Sequence, residues 1–209
     1  MTLTYPGAAT PALADFSLVV GDSEKVALVG PSGAGKSSVL ALAMRFRDPD
    51  AGQVRLGGVD LPRLALADVR AASAWADQAP QILGGSIADN LRLARPGASD
   101  PQLLAVLAEV GLDLAPEELH RWVGQAGERL SAGERARVAV ARTLLSPASR
   151  LLLDEPTAHL DEASAEQLLS RLAGDSRSVL LITHAAELLD PRWRVVALEH
   201  RSVEVVARG

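Results

Sequence analysis

Cysteine is missing from this 209-residue chain, and lysine, methionine, phenylalanine and tyrosine together account for only seven positions. Without cysteine there can be no disulfide scaffold, thiolate metal site or cysteine nucleophile, and a reducing compartment suits the chain. No apolar run approaches the roughly 18 residues needed to cross a bilayer. The first ten residues lack the basic-then-apolar pattern of a secretory signal. Positive charge is in deficit, 21 Lys and Arg against 26 Asp and Glu, which argues against a nucleic-acid binder. Repeats, low-complexity tracts and flexible linkers are absent as well. What is present, 48% apolar and 22% charged residues, is the composition of a chain that folds. Its length predicts a single domain over 1–209, able to bury about 70% of its unfolded surface.

Gly and Pro divide the chain into short apolar runs and longer helical patterns. Phe16, Leu18 and Val20 alternate with Ser17 and Val19, which predicts a partly buried strand. Residues 25–29 read as a second strand, 30–35 as a glycine-rich loop and 36–44 as a buried helix. Residues 52–56, followed by Gly57 and Gly58, read as half of a hairpin. From about 86 to 145 helix dominates. There Asp100 and Pro101 are the expected N-cap and first helical residue, and Leu103, Leu104, Leu107 and Val110 form an apolar face that Gly111 ends. Residues 151–153, 179–182 and 195–198 have strand length, with a crossover helix at 162–172. Strands alternating with helices predict an α/β fold whose sheet is largely parallel, with an inserted helical subdomain.

Gly30, Pro31, Ser32, Gly33, Ala34, Gly35, Lys36 and Ser37 satisfy G-x-x-x-x-G-K-[ST] between an apolar strand and a helix. Glycines let successive backbone N–H groups curl around phosphate oxygens without Cβ clashes. The next helix adds its positive end. Lys36 brings a compact charge to the β- and γ-phosphates, and Ser37 offers a hydroxyl to Mg²⁺. This predicts nucleotide binding. A second signal is the apolar run 151–153 ending in Asp154 and Glu155. Successive strand side chains point to opposite faces, so the two acids have different tasks: one can serve the metal of a phosphate-loop site and the other can reach a water.

Carrying these motifs, the chain resembles, over nearly its full length, the nucleotide-binding domain of ATP-binding cassette (ABC) transporters of the exporter branch. Leu130, Ser131, Ala132, Gly133 and Glu134 resemble the family's signature sequence, and Ala158 to Asp161 its D-loop. His184 resembles the switch histidine, Gln78 the Q-loop glutamine, and Tyr5 the aromatic that stacks on adenine. Several of these residues have plainer readings too: Ser131 and Glu134 are spaced as a capping box, and Asp161 as an N-cap. The resemblance implies a P-loop NTPase core of the ABC type, with an antiparallel β subdomain and a helical subdomain carrying the signature. It also implies two such domains meeting head to tail around two ATP molecules. Lys36 and the amides of residues 33–38 would hold phosphate, and Ser37, Gln78 and Asp154 would arrange Mg²⁺. Glu155 would act as general base and His184 would contact the γ-phosphate. Ser131 and Gly133 would come from the partner domain, with Asp161 across the interface. Trp75 and residues 82–87 would face a transmembrane partner on the cytoplasmic side of a bacterial inner membrane, the only link to the membrane, and no nucleic acid is expected.

Three departures from the family pattern stand out. Ala132 and Glu134 replace a glycine and a glutamine of the usual signature. Gln125 stands where the exporter cross-talk loop has Glu, and the stretch 112–122 is short. Leu130 to Glu134 together with Thr157 to Asp161 further resembles bacterial thiol-reductant exporters linked to cytochrome bd assembly. The start of the chain just before Tyr5 suggests a cassette taken from a longer polypeptide. Rival functions are a soluble ABC ATPase, disfavoured by the acidic balance, and a regulatory module without turnover, disfavoured by Glu155 and His184. A small-molecule kinase would leave Leu130 to Glu134 unexplained.

Overall fold

A computed structural model of the chain describes residues 1–199 and 202–205. In chain order the elements are β1 (Lys25–Val29), α1 (Lys36–Ala43), β2 (Arg55–Leu56), β3 (Val59–Asp60), α2 (Leu66–Ala71), β4 (Ser73–Ala76), α3 (Ile87–Arg92), α4 (Asp100–Glu109), α5 (Ala132–Leu145), β5 (Arg150–Asp154), α6 (Glu162–Ala173), β6 (Ser178–Ile182), β7 (Arg194–Glu199) and β8 (Ser202–Val205), with short 3₁₀ turns between. Six strands form one sheet in the order β4-β5-β6-β1-β7-β8. All its pairings are parallel except that of β7 with β8.

The central strands are apolar on both sides because helices cover both faces of the sheet. Their residues sort by parity. Ala27, Leu151, Leu153, Val179 and Leu181 join one core, built with Ile87, Leu103, Val138 and Leu168 of α3 to α6. Val26, Leu28, Leu152, Leu180 and Ile182 join the other, with Val39, Leu40 and Leu42 of α1. Each fully buried Leu or Ile contributes about 2 kcal/mol of transfer free energy. A one-residue slip of any central strand would exchange its two faces. Because Leu152 faces α1, so does Asp154 two residues on.

The antiparallel subdomain is small. Its regular part is the hairpin β2–β3, turned at Gly57 and Gly58, to which the N-terminal segment adds isolated bridges, Thr2 with Ala51 and Leu3 with Leu13. Residues 16–20, predicted as a strand, are not one. They keep the alternation in burial, with Phe16 inside and Val19 outside, but form no ladder. Phe16 N–H instead donates to the Met1 carbonyl. Alternation reports a half-buried extended segment, and a strand also needs a neighbour at the right spacing.

Between β4 and β5 lie α3, α4 and α5, with irregular chain and two 3₁₀ turns between α4 and α5. Helix α4 starts one residue earlier than the sequence reading had it: Ser99, not Asp100, is the N-cap. Ser99 and Gln102 form the capping pair, Ser99 N–H donating to Gln102 Oε1 at 3.0 Å. Asp100 is thereby free to accept from Arg92 at 2.6 Å and to pair with His120 at 2.8 Å. No helix among the described residues is long and apolar enough to cross a membrane.

Candidate active site

Leu28 of β1 and Asp154 of β5 both pair with Ile182 of β6. The segments that leave these strands, beginning at Gly30, Glu155 and Thr183, therefore emerge side by side at the carboxyl edge of the sheet. In open α/β sheets this is the edge where ligands bind.

The glycine loop is held in shape by its own surroundings. A Cβ at Gly30 (φ +145°) would stand 2.4 Å from the Leu198 carbonyl oxygen, and one at Gly35 (φ +100°) 2.3 Å from that of Ala12. Only glycine fits either position. Pro31, Ser32 and Gly33 are exposed while Ala34 and Lys36 are buried. Lys36 folds across the loop, its Nζ donating to the carbonyls of Gly30 at 2.8 Å and Pro31 at 3.0 Å. Ser37, the second residue of α1, is exposed, and its hydroxyl acts on the Asp154 carboxyl. Ser38 Oγ lies 3.1 Å from the Tyr5 hydroxyl. The Arg47 guanidinium covers the Tyr5 ring at 4.7 Å, a contact the sequence reading missed because nothing in spacing marks it.

Strand parity and one unusual dihedral separate the two acids. Asp154 is 5% exposed, and its Oδ1 is buried without a hydrogen-bond partner. Burial pushes its carboxyl up; the Ser37 hydrogen bond and Lys36 oppose this, while Glu155 and Asp77 add repulsion. A buried carboxylate oxygen left open beside a serine hydroxyl suits a hard divalent cation, which takes few protein oxygens and the rest from phosphate and water. Among the described residues no cluster of three or more His, Asp or Glu side chains could hold a metal by itself. Glu155 leaves the strand with φ +48°, the left-handed region that non-glycine residues avoid. Its Oε2 accepts from Gln78 Nε2 at 3.0 Å, and its Oε1 lies 2.9 Å from His184 Nε2. The predicted Q-loop, base and switch residues are thus in direct contact, with Gln78 on Glu155 rather than on Asp154.

Ser131, Gly133 and Asp161 lie at helix starts, the first two at α5 and the last at α6. Ser131 caps α5: its N–H donates to Glu134 Oε2 at 2.8 Å, and Glu134 N–H donates to Ser131 Oγ at 3.1 Å. Asp161 caps α6 by accepting from Ser164 N–H at 2.9 Å. Both capping readings therefore hold. Gly133 sits against the D-loop, where a Cβ would stand 3.2 Å from the His159 carbonyl oxygen. Arg121, which the sequence reading did not single out, bonds Glu134 Oε1 at 2.8 Å.

The expected membrane-facing stretch needs correction. Ile82 and Ile87 are buried, and Trp75 is half-buried, packed on the Phe46 ring at 5.0 Å. The apolar side chains that do face outward here are Leu83 and Trp122, with the Trp122 ring beside Gly84. Their neighbour Gln81 accepts through its carbonyl from Arg142 of α5 at 3.0 Å.

A family model described as ABC transporter matches residues 13–158. The chain is 38% identical over 204 residues to the "ATP-dependent lipid A-core flippase" of Thiobacillus denitrificans, covering 94% of this chain and 35% of that protein. It is 36% identical over 204 residues to the "Glutathione/L-cysteine transport system ATP-binding/permease protein CydC" of Escherichia coli, covering 96% and 36%. The chain thus spans about a third of the length of the curated relatives it matches. Among solved structures, a "bacterial Atm1-family ABC exporter with ATP bound" superposes with a TM-score of 0.88 at 30% identity, over 97% of this chain and 36% of that one. With phosphate loop, acidic strand end, signature and histidine all in place on this fold, the chain belongs to the ABC transporter family.

Proposed function

We propose that the chain is the ATP-hydrolysing motor domain of an exporter, working as one of a head-to-tail pair at the cytoplasmic face of a bacterial inner membrane. The observation that carries this reading is the double anchoring of Glu155 by Gln78 and His184, next to the phosphate loop and Asp154. Phosphoryl transfer to water needs positioning and charge neutralisation more than covalent help. Lys36 leaves its loop carbonyls for the β- and γ-phosphates, and the amides of residues 33–38 surround them. Glu155 takes the proton of the attacking water, and His184 keeps that carboxylate in register and reaches the γ-phosphate. Ser37 and Asp154, with Gln78 through the attacking side, would hold Mg²⁺. That ion, when bound, neutralises phosphate charge and braces the leaving group. Tyr5 stacks on the base.

Ser131 and Gly133 lie at the outward N-terminus of a 14-residue helix, a ready anion seat, yet no hydrogen bond of theirs reaches the phosphate loop of the same chain. A second domain supplies the missing half: its signature closes on this chain's nucleotide, with Asp161 lining the junction. Leu83, Gly84 and Trp122 form the apolar patch offered to the transmembrane partner, which in such exporters is fused to the motor. The relative named as an ATP-binding/permease protein supports that arrangement. Lipid flippases and a glutathione/cysteine transporter match with nearly equal identity, as expected when cargo is read outside the motor. A thiol cargo rests on the signature and D-loop wording alone.

The test is Glu155→Gln. This variant should bind ATP as the parent does, lose hydrolysis by about a hundredfold or more, and accumulate as an ATP-bound dimer in size-exclusion chromatography. Hydrolysis at the parental rate would remove Glu155 from the role of base.

A further inference from the structure

The signature of this chain carries a carboxylate, Glu134, at the helix start that is meant to receive a phosphate. Two anions at one helix N-terminus compete for the same positive end. The arrangement around Glu134 shows how the conflict is handled. Both of its oxygens are engaged: Oε2 accepts the Ser131 N–H at 2.8 Å, and Oε1 accepts Arg121 Nη2 at 2.8 Å. Arg121 follows the 3₁₀ turn Pro116–His120 of the stretch between α4 and α5, and it leans on Glu118 at 3.9 Å as well. Glu118 is tied in turn, its Oε2 accepting the Ala115 N–H at 3.1 Å.

We propose that Arg121 is a positioning residue of the signature: it pulls the Glu134 carboxylate back over α5's own first turn and offsets its charge, so that the Ser131 hydroxyl and Gly133 amide stay open to the γ-phosphate of the partner domain's ATP. The proposal rests on the head-to-tail reading given above and adds to it a residue outside the signature. Three features favour it over a chance surface pair. Glu134 is only a quarter exposed, so its charge is poorly screened by water. Hydrogen bonds from Ser131 and Arg121 hold its carboxyl below the usual range against the opposing effect of burial. Arg121 is also held from two sides, by Glu134 and Glu118.

The experiment uses the full-length protein that carries this chain. ATPase kinetics are measured for the parent, Arg121→Ala, Arg121→Lys, Glu134→Gln and the double variant Arg121→Ala with Glu134→Gln, each at low and high salt. With Arg121 gone, Glu134 repels the incoming nucleotide, so KM for ATP should rise about three- to tenfold while kcat changes less, and high salt should narrow the gap. Arg121→Lys, which keeps the charge without the fork, should fall between. Glu134→Gln keeps the capping geometry without the charge, and in the double variant it should return KM close to that of Glu134→Gln alone. A purely structural Arg121 would leave the double variant as impaired as Arg121→Ala at either salt, and that result overturns the proposal, as does a parental KM for Arg121→Ala. A parent protein that neither binds nor hydrolyses ATP would defeat the motor reading itself. An active parent with insensitive Arg121 variants defeats only the role of Arg121.

Discussion

His184 Nε2 lies 2.9 Å from Glu155 Oε1, an imidazole half open to solvent set against a carboxylate that is only 18% exposed. The pair joins the ends of two neighbouring parallel strands, β5 and β6, whose register is fixed by the pairing of Asp154 with Ile182. Neither residue needs a flexible reach to find the other.

From this geometry His184→Ala should lower kcat by about ten- to a hundredfold with a smaller change in KM. The reason is that Gln78 still holds Oε2 while Oε1 loses its fixed direction. Steady-state ATPase measurements separate the two parameters. An equal loss in binding and turnover would mean that His184 serves chiefly as a ligand for the nucleotide.

Asp154 supplies a second prediction, of opposite sign for stability and for function. Burial, Glu155 and Asp77 disfavour its charged form in the fold, with Ser37 and Lys36 only partly compensating. An acid whose folded pKa is raised contributes most at low pH, and that contribution fades as pH rises through the folded value. Above its folded pKa the ionised Asp154 therefore weakens the nucleotide-free domain. Asp154→Asn should melt at a higher temperature than the parent without ligand, yet gain less from Mg²⁺ and ATP. Thermal melts with and without Mg²⁺-ATP check both halves. A variant that melts lower in the bare state contradicts the first.

Much of this site could be read from residue order, and the physical reasons are specific. Gly30 to Ser37 is legible because a curled anion-binding loop tolerates few residue types. Residues 151–153 are legible because a strand buried on both faces must be apolar throughout. Glu155 is legible as an acid after that strand, but not its φ of +48°, which no neighbour announces. Residues 16–20 alternate as a strand does yet form none, because alternation alone cannot supply a neighbouring strand. Arg121 and Arg47 stayed hidden because each meets its partner, Glu134 or Tyr5, across irregular chain, where no period of 2 or 3.6 relates the two.

Away from the site, Asp175 links the acid side of the stability curve to one cluster. Burial raises its carboxyl, but hydrogen bonds from the Arg177 side chain and backbone, with help from Arg171, outweigh this and bring it to about 2. The same Arg177 donates to the Ser146 and Leu144 carbonyls at 2.8 and 3.1 Å, fastening the end of α5. A depressed folded pKa gives stability that is fully present above the unfolded value near 3.8 and lost as pH falls toward 2. The amount is about 2 kcal/mol. Asp175→Asn should therefore lose about that much at pH 7, a drop in Tm of about 5 °C for a domain of this size. It should also show a flatter decline between pH 4 and 2. Urea titrations across that range decide it: parallel acid limbs for parent and variant would exclude Asp175 as the source.

Tyr5, the lone tyrosine, gives the last prediction. Its hydroxyl is 3.1 Å from Ser38 Oγ and its ring lies under the Arg47 guanidinium, so it is fixed at the start of α1 before any base arrives. A ring has two faces, and a cation on one leaves the other for a purine. Stacking draws on area and polarisability, which adenine and guanine share. Tyr5→Ala should weaken ATP and GTP alike, by about five- to tenfold, the equivalent of about 1 kcal/mol of stacking. Tyr5→Phe should cost much less, since only the Ser38 contact is lost. Calorimetric titration of the parent and both variants with each nucleotide provides the measurement. Strong preference for one base in the parent, abolished in Tyr5→Phe, would mean that the hydroxyl reads the base edge and that stacking is secondary.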